Sequence, residues 1–264
     1  MHYATALINL AHFHYFIYPV QKNEGNPCFA EKCFLRHSNY SLLKFYFKII
    51  QICVYADKWI TLQEPEGKMP AGQRYVKDFI VYAAMGIPRV DISTYKLEIN
   101  GLVEHPFSLT FQDLEKMVDS NYTHDFHCVT RWSIKDVTWT GVRISALAER
   151  AGVKEEADWI MFHCLDGYDT PVPVEDAMDE KSIVAIRMNG KPIPEENGFP
   201  VRPFIPHLYG WKSAKWLSSI EFIKGYEDGY WEAYGYHDRG NVWEEERFKG
   251  SAWKKIKRTV FRKD

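Results

Sequence analysis

The sequence predicts an α+β domain built from short β-strands and shorter helices, and three observations support this fold class. Strands are indicated by brief apolar runs that alternate with polar residues or end at an Asn-Gly pair. Helices are indicated by capping residues beside short apolar stretches. No repeat with a period of about 20 to 50 residues is visible, which argues against solenoids and propellers.

The first predicted strand covers residues 94–100, TYKLEIN, where apolar and polar residues alternate up to a turn at Asn100-Gly101. The first predicted helix covers residues 111–118. Thr110 and Asp113 have the spacing of a capping box, which satisfies two backbone amides at the start of a helix.

A second helix is predicted over residues 145–151, with Ser145 as its N-cap and Gly152 just past its end. The remaining predicted strands cover residues 159–164, 182–188 and 214–224. The second of these ends at another Asn-Gly pair, Asn189-Gly190, which favours a tight turn.

Composition divides the chain into three parts. Residues 1–65 are rich in Phe, Tyr, His and Cys without clear periodicity, and we predict an N-terminal appendage of unknown role. It is a real extension, a partner-binding arm or sequence upstream of a natural start at Met69, and we favour the last. Residues 66–248 form the predicted main domain. Residues 249–264 are a basic C-terminal tail, for which a solvated tail is favoured over a polyanion site.

Charge and cysteine content exclude several classes of protein. Lys and Arg (33) nearly balance Asp and Glu (35), so no overall field favours nucleic acid or an anionic membrane. Five cysteines without a CxxC pair disfavour a disulfide framework and a four-cysteine zinc site. No membrane span or export signal is visible. We therefore expect a cytoplasmic protein without nucleic acid as a partner and without a membrane span.

Cys128 is the first candidate for chemistry. It lies in HDFHCVTRWS, where an apolar strand gives way to a loop containing Arg131 and Lys135. Nearby cations lower the pKa of a thiol and favour the thiolate, which binds soft metals. The alternative from this residue alone is a buried structural cysteine.

The pairs His127-Cys128 and His163-Cys164 suggest two further interpretations. A zinc site is weakened by strand geometry, because adjacent side chains point to opposite faces and each strand offers only one ligand. A cysteine nucleophile with a histidine base is also open, although no Asn or Asp motif completes a triad. For both histidines a core hydrogen bond is favoured over metal ligation.

The most specific signal is the stretch from 188 to 217, MNGKPIPEENGFPVRPFIPHLYGWKSAKWL. Gly, Pro and Asn fix unusual backbone shapes around Arg202, Lys212 and Lys215, with Ser213 between the lysines. Such a loop is suited to clamp a phosphate and a flat heterocycle. An ordinary structured loop with solvated lysines is the alternative.

Four motifs, HCVTRW, HCLDGY, NGFPVR and YGWKSAKW, closely resemble the sulfite oxidase family in order and spacing, from about Tyr75 to Phe248. The resemblance implies a sulfite oxidase-type molybdopterin-binding catalytic domain of mixed β-sheets and short helices, with a molybdenum-molybdopterin cofactor. In that family one cysteine is the protein's only ligand to molybdenum, and Cys128 matches it.

The resemblance also assigns the other site residues. Tyr168 resembles the active-site tyrosine. The predicted cofactor-binding residues are Tyr82, Cys164, Asp166, Asn197, Arg202, Ser213 and Lys215. Tyr82 lies in FIVYAAMGIP, where the family's sulfite oxidases have an anion-binding Arg, and this puts oxidation of sulfite itself in doubt. Cys164 falls where a relative has a Thr, so packing in the core is the alternative role.

The expected function is oxygen-atom transfer on a small S- or N-oxide-type substrate, with electrons exchanged through a separate carrier. A carrier is expected because no haem-domain signature precedes the domain, and a monomer is expected because no dimerisation domain follows it. The alternative is a non-catalytic binding module, in which the aromatic run YEDGYWEAYGYHDRGNVWEEERF stacks on a planar partner.

Overall fold

A computed structural model of the protein describes residues 69–250, and the elements below belong to that range. The strands are β1 (Arg74–Tyr75), β2 (Lys96–Gly101), β3 (Phe107–Thr110), β4 (Ser120–His127), β5 (Trp132–Arg143), β6 (Trp159–Cys164), β7 (Asp169–Pro173), β8 (Ile183–Met188), β9 (Lys191–Pro192), β10 (Arg202–Phe204) and β11 (Leu217–Ile223). The helices are α1 (Phe111–Met117), α2 (Ile144–Ala151), α3 (Val174–Ala177) and α4 (Tyr230–Ala233), with a 3-10 turn at Glu195–Asn197.

The strands form two mixed sheets. In the first, β5 pairs with β1 in parallel and with β4 and β8 antiparallel, and β8 also pairs with β9 and β10. The second has the order β3-β2-β11-β6-β7, in which only the β2–β11 pair is parallel. This confirms the predicted α+β class with mixed sheets and short helices.

Local signals located most elements well. The capping box exists: Thr110 Oγ1 accepts from the amide of Asp113 at 3.2 Å, and Asp113 Oδ2 accepts from the amide of Thr110 at 3.1 Å. The strand predicted over residues 159–164 has those bounds. The N-cap predicted at Ser145 is wrong, because the helix begins at Ile144 and no side chain caps it.

The parts of the chain predicted to flank the domain are only partly visible. The appendage over residues 1–65 and residues 251–264 of the tail lie outside the described range. Lys249, the first residue assigned to the tail, binds Asp228 Oδ1 at 2.5 Å and Asp238 Oδ1 at 2.8 Å. None of the helices between residues 69 and 250 has the length and hydropathy that a bilayer crossing requires.

Three apolar clusters hold the domain together. The largest contains residues of both sheets and of α1 and α2. The second is aromatic and contains Trp139 stacked on Phe204, with ring centroids 4.2 Å apart. The third is built around Tyr209, Trp211 and Val129. Cys128 packs against both the second and the third clusters, so the fold fixes it where two cores meet.

A buried ion pair fixes residues 209–213, which we call the YGWKS turn, within the stretch from 188 to 217. Lys212 Nζ lies 2.6 Å from Glu232 Oε1, and each residue is 1% exposed. The same carboxylate oxygen accepts from Trp211 Nε1 at 2.7 Å and from Thr170 Oγ1 at 3.1 Å. Helix α4 and strand β7 are therefore tied to this turn, and Lys212 is not free to bind a ligand. The sequence-based placement of Lys212 among the ligand-clamping cations is wrong.

We expect Glu232→Ala to lower the free energy of unfolding by about 3–5 kcal/mol, because it leaves a buried ammonium without its counter-charge. The measurement is equilibrium unfolding in urea. The control is Glu115→Ala, which removes the half-exposed partner of Arg187 at 2.6 Å and is expected to cost about 0–1 kcal/mol. Equal losses in the two variants would contradict a central role for the buried pair.

Candidate active site

Cys128 is the first residue after β4, in a turn of residues 128–131 that leads into β5. Its amide donates to the carbonyl of Trp132 at 2.9 Å, and its carbonyl accepts from the amide of Arg131 at 3.0 Å. The thiol is half-buried, with Sγ 3.2 Å from Thr130 Oγ1. A single sulfur is thus presented at the rim of the turn.

The electrostatics of this thiol differ from the sequence-based expectation. Burial raises the pKa of Cys128, and this outweighs the hydrogen bond from Thr130 and the positive charge of Arg247, which lower it. The predicted lowering by Arg131 and Lys135 is wrong. Lys135 is exposed within β5 and pairs with Asp136 at 3.6 Å.

The YGWKS turn lies directly against the end of β4. The amide of Gly210 donates to the carbonyl of His127 at 2.7 Å. A Cβ at Gly210 would lie 2.3 Å from Phe126 Cζ, so no other residue permits this approach without a shift of the aromatic core. Ser213 lies three residues after Gly210 in the same turn, so its position relative to Cys128 is fixed by this contact.

Arg202 and Ser213 form a buried polar cluster with Asn197. The guanidinium donates to Ser213 Oγ at 2.9 Å, to the Ser213 carbonyl at 2.6 Å and to the Asn197 carbonyl at 2.7 Å. Arg202 is 3% exposed, and burial lowers its pKa to about 10. No carboxylate of the described residues lies within ion-pair distance of it.

Lys215 adds a second cation to this cluster. Its Nζ donates to the carbonyl of Tyr82 at 2.5 Å and to that of Glu196 at 3.1 Å. Burial, then the charge of Arg202, lowers its pKa to about 8. Asp166 opposes this shift, while burial raises the pKa of Asp166 itself. The charge of Glu196 opposes the shift as well, so Lys215 has acidic groups nearby, whereas Arg202 has none within ion-pair distance among the described residues.

Tyr168 and Cys164 are two further predicted site residues, and both lie close enough to Arg202 to affect its pKa. The Tyr168 hydroxyl donates to the carbonyl of Trp211 at 2.7 Å. Burial, then the charge of Glu232, raises the pKa of Tyr168 well above its usual range, so it stays a protonated donor. Cys164 is 7% exposed within the largest core, and burial raises its pKa well above the usual value.

Tyr82 borders this cluster through its carbonyl, which accepts from Lys215, and its ring belongs to a group of aromatic side chains near Cys128. Its side chain is 63% exposed, with its ring centroid 5.8 Å from that of Trp231. Trp231 in turn lies 4.9 Å from Tyr236. Burial, then the proximity of Cys128 and Tyr82, raises the pKa of Tyr236 to about 12. We call Tyr82, Trp231 and Tyr236 the aromatic wall.

The two histidines beside the cysteines are hydrogen-bonded to side chains, as expected. His127 Nδ1 lies 2.8 Å from Ser133 Oγ, and His163 Nε2 lies 2.8 Å from Glu221 Oε2. They belong to different sheets. Across residues 69–250 no group of three or more His, Cys, Asp or Glu is arranged to hold a metal ion, which disfavours the zinc interpretation.

Comparisons with known proteins agree with this geometry. A family model described as the oxidoreductase molybdopterin binding domain matches residues 84–231. The chain is 42% identical to the uncharacterized oxidoreductase YuiH of Bacillus subtilis (strain 168), over 70% of this chain and 94% of that protein.

Two further relatives are more distant. The chain is 29% identical to the protein-methionine-sulfoxide reductase catalytic subunit of Campylobacter jejuni, over 55% of this chain and 54% of the relative. It is 26% identical to mitochondrial sulfite oxidase of Rattus norvegicus, over 57% of this chain and 33% of the relative. The chain thus spans about half of the first of these two proteins and a third of the second.

Together the fold and these matches define a molybdopterin-binding oxidoreductase. The chain belongs to the sulfite oxidase family, and its cofactor is molybdenum-molybdopterin. The alternative of a non-catalytic binding module is wrong, because the family consists of enzymes. The aromatic run invoked for that alternative packs on itself instead, and it supplies Trp231 and Tyr236 of the aromatic wall.

The residues present fit this cofactor. Arg202 is a buried cation without a carboxylate partner among the described residues, and Lys215 is held beside it. A buried, unpaired charge is costly, so a phosphate at this point would supply the missing counter-charge. Cys128 offers one soft sulfur on the other side of the YGWKS turn. The individual roles of these residues stay predictions.

Sequence reasoning missed three residues around Cys128. Arg247, Gln73 and Tyr209 surround the turn, yet Arg247 is 118 residues from Val129, whose carbonyl it binds. No local motif marks Arg247, because it lies in the charged run EEERF, which is typical of a solvated segment. A contact across that separation is visible only in the folded chain.

We expect Cys128→Ser to abolish turnover while leaving the thermal unfolding temperature close to that of the wild type, because a hydroxyl is a poor ligand for a soft metal. The measurements are steady-state activity and molybdenum content. Cys164→Ser is the matched control and should keep most activity, since its sulfur faces the core. Activity above a few per cent in Cys128→Ser would rule out the ligand assignment.

We expect Arg202→Ala to lower cofactor occupancy at least about tenfold, because charge-assisted hydrogen bonds to an anion are worth about 1.5–3 kcal/mol each. Turnover per bound molybdenum should change little. Elemental analysis and pterin fluorescence of the purified protein measure occupancy. Normal molybdenum content with lost activity would instead place Arg202 at the substrate.

Proposed function

We propose that this enzyme transfers an oxygen atom to or from a small, uncharged S- or N-oxide-type substrate at a metal held by Cys128. The observation that carries the proposal is the aromatic wall beside Cys128, in which Tyr82 is exposed and uncharged. The relative named protein-methionine-sulfoxide reductase catalytic subunit supports a sulfur oxide as the substrate class.

The wall suits a substrate with apolar groups next to its oxide. Aromatic faces bury apolar surface, and their hydroxyl groups offer hydrogen bonds at the edges. Tyr236 also packs edge-on against Trp211 at 5.2 Å and Phe248 at 5.0 Å. The wall is therefore anchored in the third apolar cluster and keeps its shape when a substrate arrives.

The cations near Cys128 are poorly placed for a dianion. Two nitrogens of the buried Arg247 guanidinium are committed to backbone carbonyls, at 2.6 Å and 2.9 Å. Arg131 is exposed, so water and salt screen its charge. Lys215 lies next to Tyr82, but its ammonium is committed to the carbonyls of Tyr82 and Glu196. A dianion such as sulfite, drawn out of water into this site, therefore meets no buried cation without other partners among the residues described.

The bound cofactor supplies two-electron oxygen-atom transfer, and the protein supplies orientation, electrostatics and access. Tyr168 is proposed to donate a hydrogen bond to the oxygen being transferred. Its hydroxyl now donates to the Trp211 carbonyl, so this role requires the hydroxyl to turn away from that carbonyl. Because its pKa is strongly raised, Tyr168 acts as a hydrogen-bond donor and not as a source of anionic charge.

Three further features belong to the proposal. Electrons are exchanged through a separate carrier, as each turnover of the cofactor requires two of them. A cytoplasmic location is supported by the free thiols of Cys128 and Cys164, which a reducing compartment maintains. A monomer is the proposed oligomeric state.

We expect kcat/KM for sulfite to be far below that for small neutral sulfoxides or amine oxides, assayed with artificial dyes as electron carriers. Tyr82→Arg should raise kcat/KM for sulfite at least about tenfold, because one added cation next to the substrate is worth about 1 kcal/mol or more.

The matched control is Tyr234→Arg, since Tyr234 is 64% exposed and packs against Tyr230 and Trp231 with no ring contact to Tyr82. It adds the same charge and should leave sulfite oxidation unchanged. A wild-type kcat/KM for sulfite that exceeds the value for every neutral oxide would overturn the proposed substrate class.

A further inference from the structure

Side chains from the two ends of the described chain meet at the turn of residues 128–131. Gln73 Nε2 donates to the carbonyl of Cys128 at 2.9 Å. Arg247 Nη1 donates to the carbonyl of Val129 at 2.6 Å, and its Nη2 donates to the carbonyl of Ala71 at 2.9 Å. Ala71 and Gln73 belong to the same short segment. The three bonds therefore link this segment, Arg247 and the turn to one another.

The Arg247 side chain that makes two of these bonds is buried. It is 5% exposed, and its guanidinium lies over the ring of Tyr209, 4.7 Å from the centroid. The nearest carboxylate, on Glu245, is 4.0 Å away and half-exposed. Burying a cation without a close counter-charge costs free energy. The hydrogen bonds to the two backbone carbonyls offset part of that cost. Its planar fork places one nitrogen on each carbonyl at a fixed separation, whereas the single nitrogen of a lysine would have to reach both carbonyls from one point.

The turn needs such support. Arg131 has a φ of 75°, a left-handed conformation that non-glycine residues adopt only at a cost. A segment with one strained residue has competing conformations once its outside contacts are removed. The turn also carries the thiol assigned to the metal, and a metal ligand must be held to within about 0.5 Å of its working position.

We propose that Arg247 and Gln73 are positioning residues that clamp the turn and fix the sulfur of Cys128 toward the metal. Both lie outside residues 84–231, the part matched by the family model. The inference rests on Cys128 as the metal ligand and does not depend on which oxide is the substrate.

The test compares Arg247→Lys, Gln73→Met and Cys128→Ser with the wild type in the full-length, cofactor-loaded protein. Six quantities are measured: molybdenum content, pterin content, thermal unfolding temperature, the electron paramagnetic resonance spectrum of Mo(V), kcat and KM. Arg239→Lys is the control, because Arg239 is also a part-buried guanidinium with two bonds to one partner, Asp176, and it does not contact the turn.

In Arg247→Lys we expect normal molybdenum content, since Arg202 and Lys215 are untouched. The Mo(V) spectrum should change from one species to several, and kcat should fall at least about tenfold while KM changes less than about twofold. Gln73→Met removes one of the three bonds, so it should shift the spectrum in the same direction by a smaller amount. Arg239→Lys should keep the wild-type spectrum.

Each other outcome overturns a defined part of the inference. A wild-type spectrum in both Arg247→Lys and Gln73→Met, or an equal change in Arg239→Lys, rejects the clamp. Loss of molybdenum from Arg247→Lys at an unchanged unfolding temperature assigns Arg247 to cofactor retention instead. If Arg247→Lys does not fold, Gln73→Met decides the question alone. A wild-type spectrum in Cys128→Ser rejects the ligand assignment and not merely the clamp.

Discussion

The buried ion pair of Lys212 and Glu232 is the contact on which the site geometry depends. It fixes the YGWKS turn, and that turn touches both ends of the site. On one side Gly210 binds the end of β4, which carries Cys128. On the other side Ser213 accepts from Arg202. Neither end is positioned independently, so the distance between the thiol and the cation cluster is set by one short, buried segment.

Two cations of the site are gathered in one cluster. The cation cluster of Arg202 and Lys215 lies at one end, where burial lowers the pKa of both side chains. Lys215 also donates to the carbonyl of Tyr82, so the cluster borders the aromatic wall, whose exposed Tyr82 ring is itself uncharged. On the proposed assignment these cations would hold the phosphate of the cofactor and the wall would contact the substrate.

Local chemistry made the sequence informative, and long-range contacts limited it. The Thr110–Asp113 capping box and the strand from Trp159 to Cys164 were predictable because neighbouring residues determine them. The motif resemblance located Arg202 and Ser213 in one cluster. Lys212 was misassigned because its partner, Glu232, is 20 residues away on another element. Arg247 was missed for the same reason, at a much larger separation.

The parallel pairing of β2 with β11 has a consequence for biosynthesis. Asn100 on β2 bonds Ser219 on β11 across 119 residues, and β11 is the central strand of its sheet. Contacts between residues so far apart in the sequence form late in folding, because the chain loses the entropy of closing the loop before the contact stabilises it. During translation the second sheet has no centre until β11 leaves the ribosome. Because β6, which ends at Cys164, pairs with β11, this part of the candidate site forms only after β11 has been synthesised.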